Sequence, residues 1–323
     1  MQPEVIGALS SLMEKGVVGD PPATYLLRIA RGDLVSVRLE IRGALYLGVL
    51  LLTTGVGLFV KENHDRIGPA AIASAIALAA AACVLWVVRR AAPFTWGRGT
   101  GTGIAFDYVL LLGLLLVAAD LAYVEVQFRL LGESWPYHLL VVAVLCLFAA
   151  FRWDSAVALS LALSSFAAWR GVSVNLLHGT FGPGRADETR GNAVVCGLLF
   201  ILAGVLLVRA GRKPHFEDVW INFGLLLLFG GLLSGVFGER QSWGGWLLAL
   251  AVVSAAVIAI AFRNGRMLPF AEGVVTLYLG SLRLLFEAFG RIHLGSAFFL
   301  VVAASAAGVL GLLVVAHRRM RKP

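Results

Sequence analysis

Charge is scarce in this sequence. Only 14% of its 323 residues are Asp, Glu, Lys or Arg, where a soluble domain carries about 25%. The deficit is made up by apolar side chains, at 59%, and the mean hydropathy is +0.86. A soluble core of this length cannot hide so much apolar surface, so lipid is the expected solvent. Cysteine is nearly absent. Cys83, Cys146 and Cys196 each lie within an apolar run and form no CxxC pair, which excludes a disulfide framework and reads as inert packing. The six histidines are scattered. None shows metal-ligand spacing and no in-run pair could ligate haem, so neither a metal nor a cofactor is expected. No GxSxG or HExxH motif occurs, and the stretch Gly97 to Gly103 lacks the ending of a phosphate-binding loop. No catalytic residue is nominated, and the balance leans away from an enzyme. The net charge of +8 lies at the ends of apolar runs, with no basic domain and no aromatic stacking motif, which excludes nucleic acid as a partner.

What the sequence has in abundance is long apolar runs. They cover 43–60, 68–88, 103–126, 137–151, 155–169, 192–209, 218–237, 244–262, 268–289 and 295–316. A helix needs about 20 residues to cross the hydrocarbon of a bilayer. Most runs qualify, whereas 137–151 and 155–169 are short and are separated by Arg152, Trp153 and Asp154. The expected fold is an all-α polytopic bundle of about ten spans over 43–316. It follows a cytosolic N-terminal helical segment, 1–42, and precedes a basic tail, 317–323. The polar opening of the chain argues against a cleavable signal. Within 1–42, apolar residues recur at helical spacing from Val5 to Met13 and again from Tyr25 to Ile29, with a break at Gly16 to Pro22.

Basic residues decide the topology. Ten spans put eighteen Lys and Arg on one side and eight on the other, whereas fusing the two short runs gives thirteen against twelve. Positive-inside bias favours ten spans with both termini cytoplasmic. Small-residue pairs at i, i+4 (Ala71 and Ala75, Gly231 and Gly235, Ala307 and Gly311) mark places where helix backbones can approach.

Ionisable residues inside spans are costly and face the bundle interior. The third run holds Asp107, Asp120 and Glu125, and the ninth holds Glu272, Arg283 and Glu287. Glu272, Thr276, Arg283 and Glu287 fall close to one helical stripe. Asp120 and Arg283 share a depth and are expected to pair, with Glu125 and Glu287 nearer the outer surface. The resulting candidate is an outward-facing polar site for transport or solute binding. Asn63, Asp65 and His178 are candidate loop contributors to it. Two other readings stay open: a structural or assembly subunit of a membrane complex, and a lipid-modifying membrane enzyme. Membrane lipids, a membrane-protein partner or a second copy of the chain are the partners these readings imply.

From Gly43-Ala44 through Gly55-Val56-Gly57-Leu58-Phe59-Val60 to Asn63-His64-Asp65, the chain resembles a family of bacterial membrane proteins, catalogued as domain of unknown function twenty-one fifty-seven. Glu14-Lys15-Gly16-Val17-Val18 is similar to that family's opening helix and turn. The likeness covers residues 9 to 90. His64 stands where the family has Trp, and Lys61-Glu62 where it has small apolar residues. The resemblance implies a multi-pass protein of a bacterial inner membrane and carries no activity.

Overall fold

The computed structural model describes residues 38–97, 104–171, 183–238, 242–292 and 295–320. Among the described residues there is no strand, and ten α-helices follow one another. They are α1 (Arg38–Ile67), α2 (Pro69–Arg90), α3 (Ile104–Phe128), α4 (Tyr137–Trp153), α5 (Ala156–Trp169), α6 (Pro183–Arg209), α7 (Glu217–Gly238), α8 (Trp243–Arg263), α9 (Met267–Ile292) and α10 (Gly295–Met320). Each of the ten apolar runs falls on one of them. Seven helices, α2, α3 and α6 to α10, are long and apolar enough to cross a membrane. The apolar stretches of α1, α4 and α5 are shorter. Leu78, Val126, Leu248, Phe299 and Leu300 are each about 70% exposed on the outside of these helices, an arrangement that suits hydrocarbon and not water. The chain is a multi-pass membrane protein.

The chain divides after Ile72 into two compact units. The first contains α1 and the opening of α2. Here α1 runs on to Ile67, so Asn63 and Asp65 lie within a helix and not in a loop as their sequence position implied. The reason is local. Between Gly57 and Gly68 no glycine or proline interrupts the helix, and Gly68 takes a positive φ of 82° and is followed by Pro69 at the start of α2. The expected N-terminal segment lies outside the described residues, apart from its last residues, which begin α1.

In the second unit, α4 and α5 form a helical hairpin. Asp154 ends α4 in the left-handed conformation (φ 60°), and Ser155 caps α5 by accepting the N–H of Ala158 at 3.4 Å. The two short runs are therefore separate helices that turn back on each other, not one fused span. The hairpin packs on α3 and α7, and an apolar cluster of Phe106, Leu110, Cys146, Leu159, Leu163, Phe200 and Trp220 joins α3 to α7.

The closest helix contact is between α6 and α7. A carbon added at Gly197 would sit 2.7 Å from both Gly224 O and Leu228 N, so glycine alone lets these backbones meet. Gly231 and Gly235 share this buried face of α7, meeting Val194 and Trp246 respectively. Ala71, Ala75, Ala307 and Gly311 are exposed among the described residues. The α6 helix also begins earlier than expected. Residues from Pro183 onward, read from sequence as part of a long loop, are helical, with Pro183 opening the first turn and Asp187 pairing with Arg190 at 3.3 Å. Finally, α8 and α10 flank α9, which also packs on α7.

Candidate functional site

The connections near residues 90–97, 152–155, 210–217 and 263–267 meet at one end of the bundle. Lys213 donates its backbone N–H to Trp96 O at 2.8 Å, Arg152 Nη1 donates to Ala92 O at 3.2 Å, and Arg266 pairs with Glu217 at 2.6 Å. This basic end is where the even-numbered connections of a ten-span chain would gather. The turn from α3 to α4 lies at the other end of those two helices.

The expected pair of Asp120 and Arg283 does not form. Their depths agree, each being sixteen residues into its helix, or about 24 Å from the basic end. Their sectors differ, because α3 packs on the α4–α5 hairpin while α9 packs on α7, α8 and α10. Arg283 instead pairs with Glu287 at 3.1 Å and lies over the Trp243 ring at 5.7 Å. Asp120 Oδ1 is buried without a hydrogen-bond partner among the described residues. Glu125 is used locally. Its carboxylate accepts the N–H groups of Leu131 (3.0 Å) and Gly132 (2.9 Å), closing the turn after α3, and His138 lies 3.8 Å away. His178 lies outside the described residues, and Asn63 and Asp65 belong to α1 in the other unit. Within the second unit, Asp120 and Glu125 therefore lie in a different sector from Glu272, Arg283 and Glu287.

The stripe of α9 that carries Glu272, Thr276, Arg283 and Glu287 also carries Gly273 and Gly280, which are buried against Ile258 and Leu250 of α8. That face points into the bundle. Around it the structure gathers polar groups that the sequence reading overlooked. The Arg266–Glu217 pair ties the starts of α7 and α9 together. Asn222 and Glu272 are each five residues into their helices, so both lie about 7.5 Å above that pair. One step deeper, Ser254 and Thr276 are each nine residues from the basic end, about 13.5 Å in. Gly273 comes close enough to α8 that an added carbon would touch Ser254 O at 3.4 Å. Ser254 is fully buried and Thr276 is 7% exposed.

The electrostatics of this junction are unusual. Asn222 Oδ1, Ser254 Oγ and Glu272 Oε2 are all buried with no hydrogen-bond partner among the described residues. A buried polar atom left without a partner costs about 1–3 kcal/mol, and three on mutually packed helices at neighbouring depths call for a ligand or a proton. A bare carboxylate there would leave uncompensated charge in an apolar span. A bound proton or small cation removes that cost. The unpartnered atoms of Asn222, Ser254 and Glu272 are oxygens, the donor set of a hard cation or a proton carrier. Asn222 and Ser254 were visible in the sequence only as lone polar residues in apolar runs, a signal shared with ordinary packing.

A second polar knot pins the basic end. Lys213 Nζ and His215 Nε2 both contact Asp154 Oδ1, at 2.7 Å and 2.6 Å, and Lys213 is only 1% exposed. Lys213 sits in the left-handed region (φ 47°) with its ammonium over the Phe94 ring at 5.5 Å. The three residues come from connections about sixty positions apart, so no sequence spacing could disclose them. Arg266 is held charged beyond an arginine's ordinary range, chiefly by its hydrogen bond to Glu217. In comparisons with protein-family models, curated proteins and solved structures, nothing matches the chain.

Proposed function

We propose that this membrane protein binds a proton or a small monovalent cation at Glu272, inside the junction of α7, α8 and α9, as part of a transport-like function. The observation that carries the reading is the unpartnered Glu272 Oε2, buried in a span, with the similarly unpartnered oxygens of Asn222 and Ser254 on the two helices that pack against it. Intramembrane carboxyls of this kind belong to ion and proton pathways more often than to scaffolding. Support also comes from the polar stripe of α9, which continues past Thr276 to Arg283 and Glu287 at the opposite end. The proposal includes ten spans, both termini on the side of the basic end, and kinship of residues 9 to 90 with the bacterial membrane family named above. In that topology the basic end faces the cytoplasm of a bacterial inner membrane.

A hydrophobic carbodiimide attacks protonated carboxyls within a membrane, so it tests the site directly. Treatment of the purified full chain should label Glu272, with the label located by peptide mass spectrometry. Sodium should protect if the ligand is sodium and should leave labelling unchanged if it is a proton. Proteoliposomes should move that same ion down its gradient, and Glu272→Gln should slow the flux at least tenfold. An unlabelled Glu272 overturns the assignment, as does a flux that Glu272→Gln leaves intact. A second reading, a subunit of a membrane complex, is favoured by α10, whose apolar stretch is almost wholly unburied within the chain. It predicts a carbodiimide-inert interior and co-purifying partners.

A further inference from the structure

The segment from Ala91 to Trp96, which leaves α2 at the basic end, is ringed by cations. Arg89 and Arg90 precede it, and Arg90 stacks on Trp86 at 4.7 Å. Arg152 donates to Ala92 O, Lys213 donates its N–H to Trp96 O, and Arg212 stacks on the Trp96 ring at 4.7 Å. Five cations therefore border six residues, and the carboxylate among them is that of Asp154, whose Oδ1 is already occupied by Lys213 and His215. Arg89, Arg90 and Arg212 are exposed and make no salt bridge among the described residues. Stacking fixes Arg90 and Arg212 in place, so their guanidinium groups stand ready for an anion with little ordering cost.

The same segment presents apolar surface. Phe94 and Trp96 are 42% and 48% exposed and touch edge to face at 4.9 Å. Cations set beside exposed aromatics, at the mouth of a spanning helix, match the two halves of a phospholipid headgroup region: phosphate outside and glycerol with acyl chains beneath. A free phosphate would have no use for Phe94 and Trp96. We propose that the segment Ala91 to Trp96 with Arg90 and Arg212 is a binding site for an anionic phospholipid, its phosphate held between the two stacked arginines. This site is independent of the one at Glu272.

The test is native mass spectrometry of the purified full chain, titrated with phosphatidylglycerol or phosphatidylcholine. Phosphatidylglycerol should bind at least tenfold better. Each arginine removed should weaken it about fivefold, so Arg90→Gln with Arg212→Gln should remove most of the preference. Arg263→Gln, at the same end but away from this segment, should leave it unchanged. Inorganic phosphate at millimolar concentration should not displace the lipid. Equal binding of the two lipids overturns the proposal. So does an equal loss with Arg263→Gln, which would reduce the effect to general charge, or displacement by phosphate, which would make it a soluble-anion site. If the double variant loses its monodisperse peak, Arg212→Gln alone keeps the backbone bond from Lys213 to Trp96 O and should still show the fivefold loss.

Discussion

At the residue scale, the basic-end knot and the interior oxygens behave in opposite ways. Asp154 is surrounded by donors, so removing it strands a buried ammonium. Asp154→Ala should lower stability by about 3–5 kcal/mol, the cost of an uncompensated buried charge, seen as a drop in the midpoint of thermal or detergent-induced unfolding. Lys213→Met in the same background should recover much of the loss, because an apolar chain of similar size replaces the stranded charge. Arg266 follows a different rule. Its hydrogen bond to Glu217 raises its pKa above the ordinary arginine value. A raised cation contributes stability below its unfolded pKa and loses it only above. Arg266 should therefore impart no slope to unfolding between pH 5 and 9. At Glu272 the missing partner is the informative feature. The sequence could name Glu272 because a carboxylate in an apolar run is conspicuous. It could not name Asn222 or Ser254, because one amide or hydroxyl in a membrane helix is common and its meaning depends on which neighbours face it.

At the element scale, glycine placement sets which helices pair. Gly224→Ala puts a methyl carbon 2.6 Å from Ile201 and 2.8 Å from Gly197 O. Backbone cannot yield as a flexible side chain can, so the variant should lose about 1–3 kcal/mol by the same unfolding assay, while Gly308→Ala, in open space, should change little. The α4–α5 hairpin settles a question of composition alone. Arg152, Trp153 and Asp154 separate two runs too short for certainty, and the left-handed Asp154 with the Ser155 cap reverses the chain there. At 1.5 Å per residue the two helices reach about 26 Å and 21 Å, slightly less than an average bilayer core. In a cysteine-free background, Ser134→Cys and Gly171→Cys should react with an impermeant maleimide from one side, and Thr95→Cys from the other. Ser134 and Gly171 labelling from opposite sides would break the ten-span topology.

At the scale of the whole molecule, surface and interior divide as lipid requires. Large apolar side chains face outward along the spans, and cations crowd one end. Connections far apart in the chain converge at the basic end through Arg152, Lys213 and Arg266. The pairing of Asp120 with Arg283 fails at this scale. Equal depth placed Asp120 and Arg283 on a common level, but depth is one coordinate of two. The angular position of each helix around the bundle separates them, with α3 against the hairpin and α9 against α7, α8 and α10.

Sequence by itself determined the helical class, the lipid environment, the positions of the apolar helices and the inward-facing stripe of α9. These are one-dimensional properties: hydropathy, the helical period and charge at run ends are all written along the chain. Tertiary structure alone decided which helices are neighbours, and with them the knot of Asp154, Lys213 and His215 and the packing of α7, α8 and α9, which carry Asn222, Ser254 and Glu272. Neighbour choice depends on close packing between surfaces, such as Gly197 against Gly224, that lie distant in sequence. In lipid no difference in hydrophobicity between one apolar face and another could have announced it.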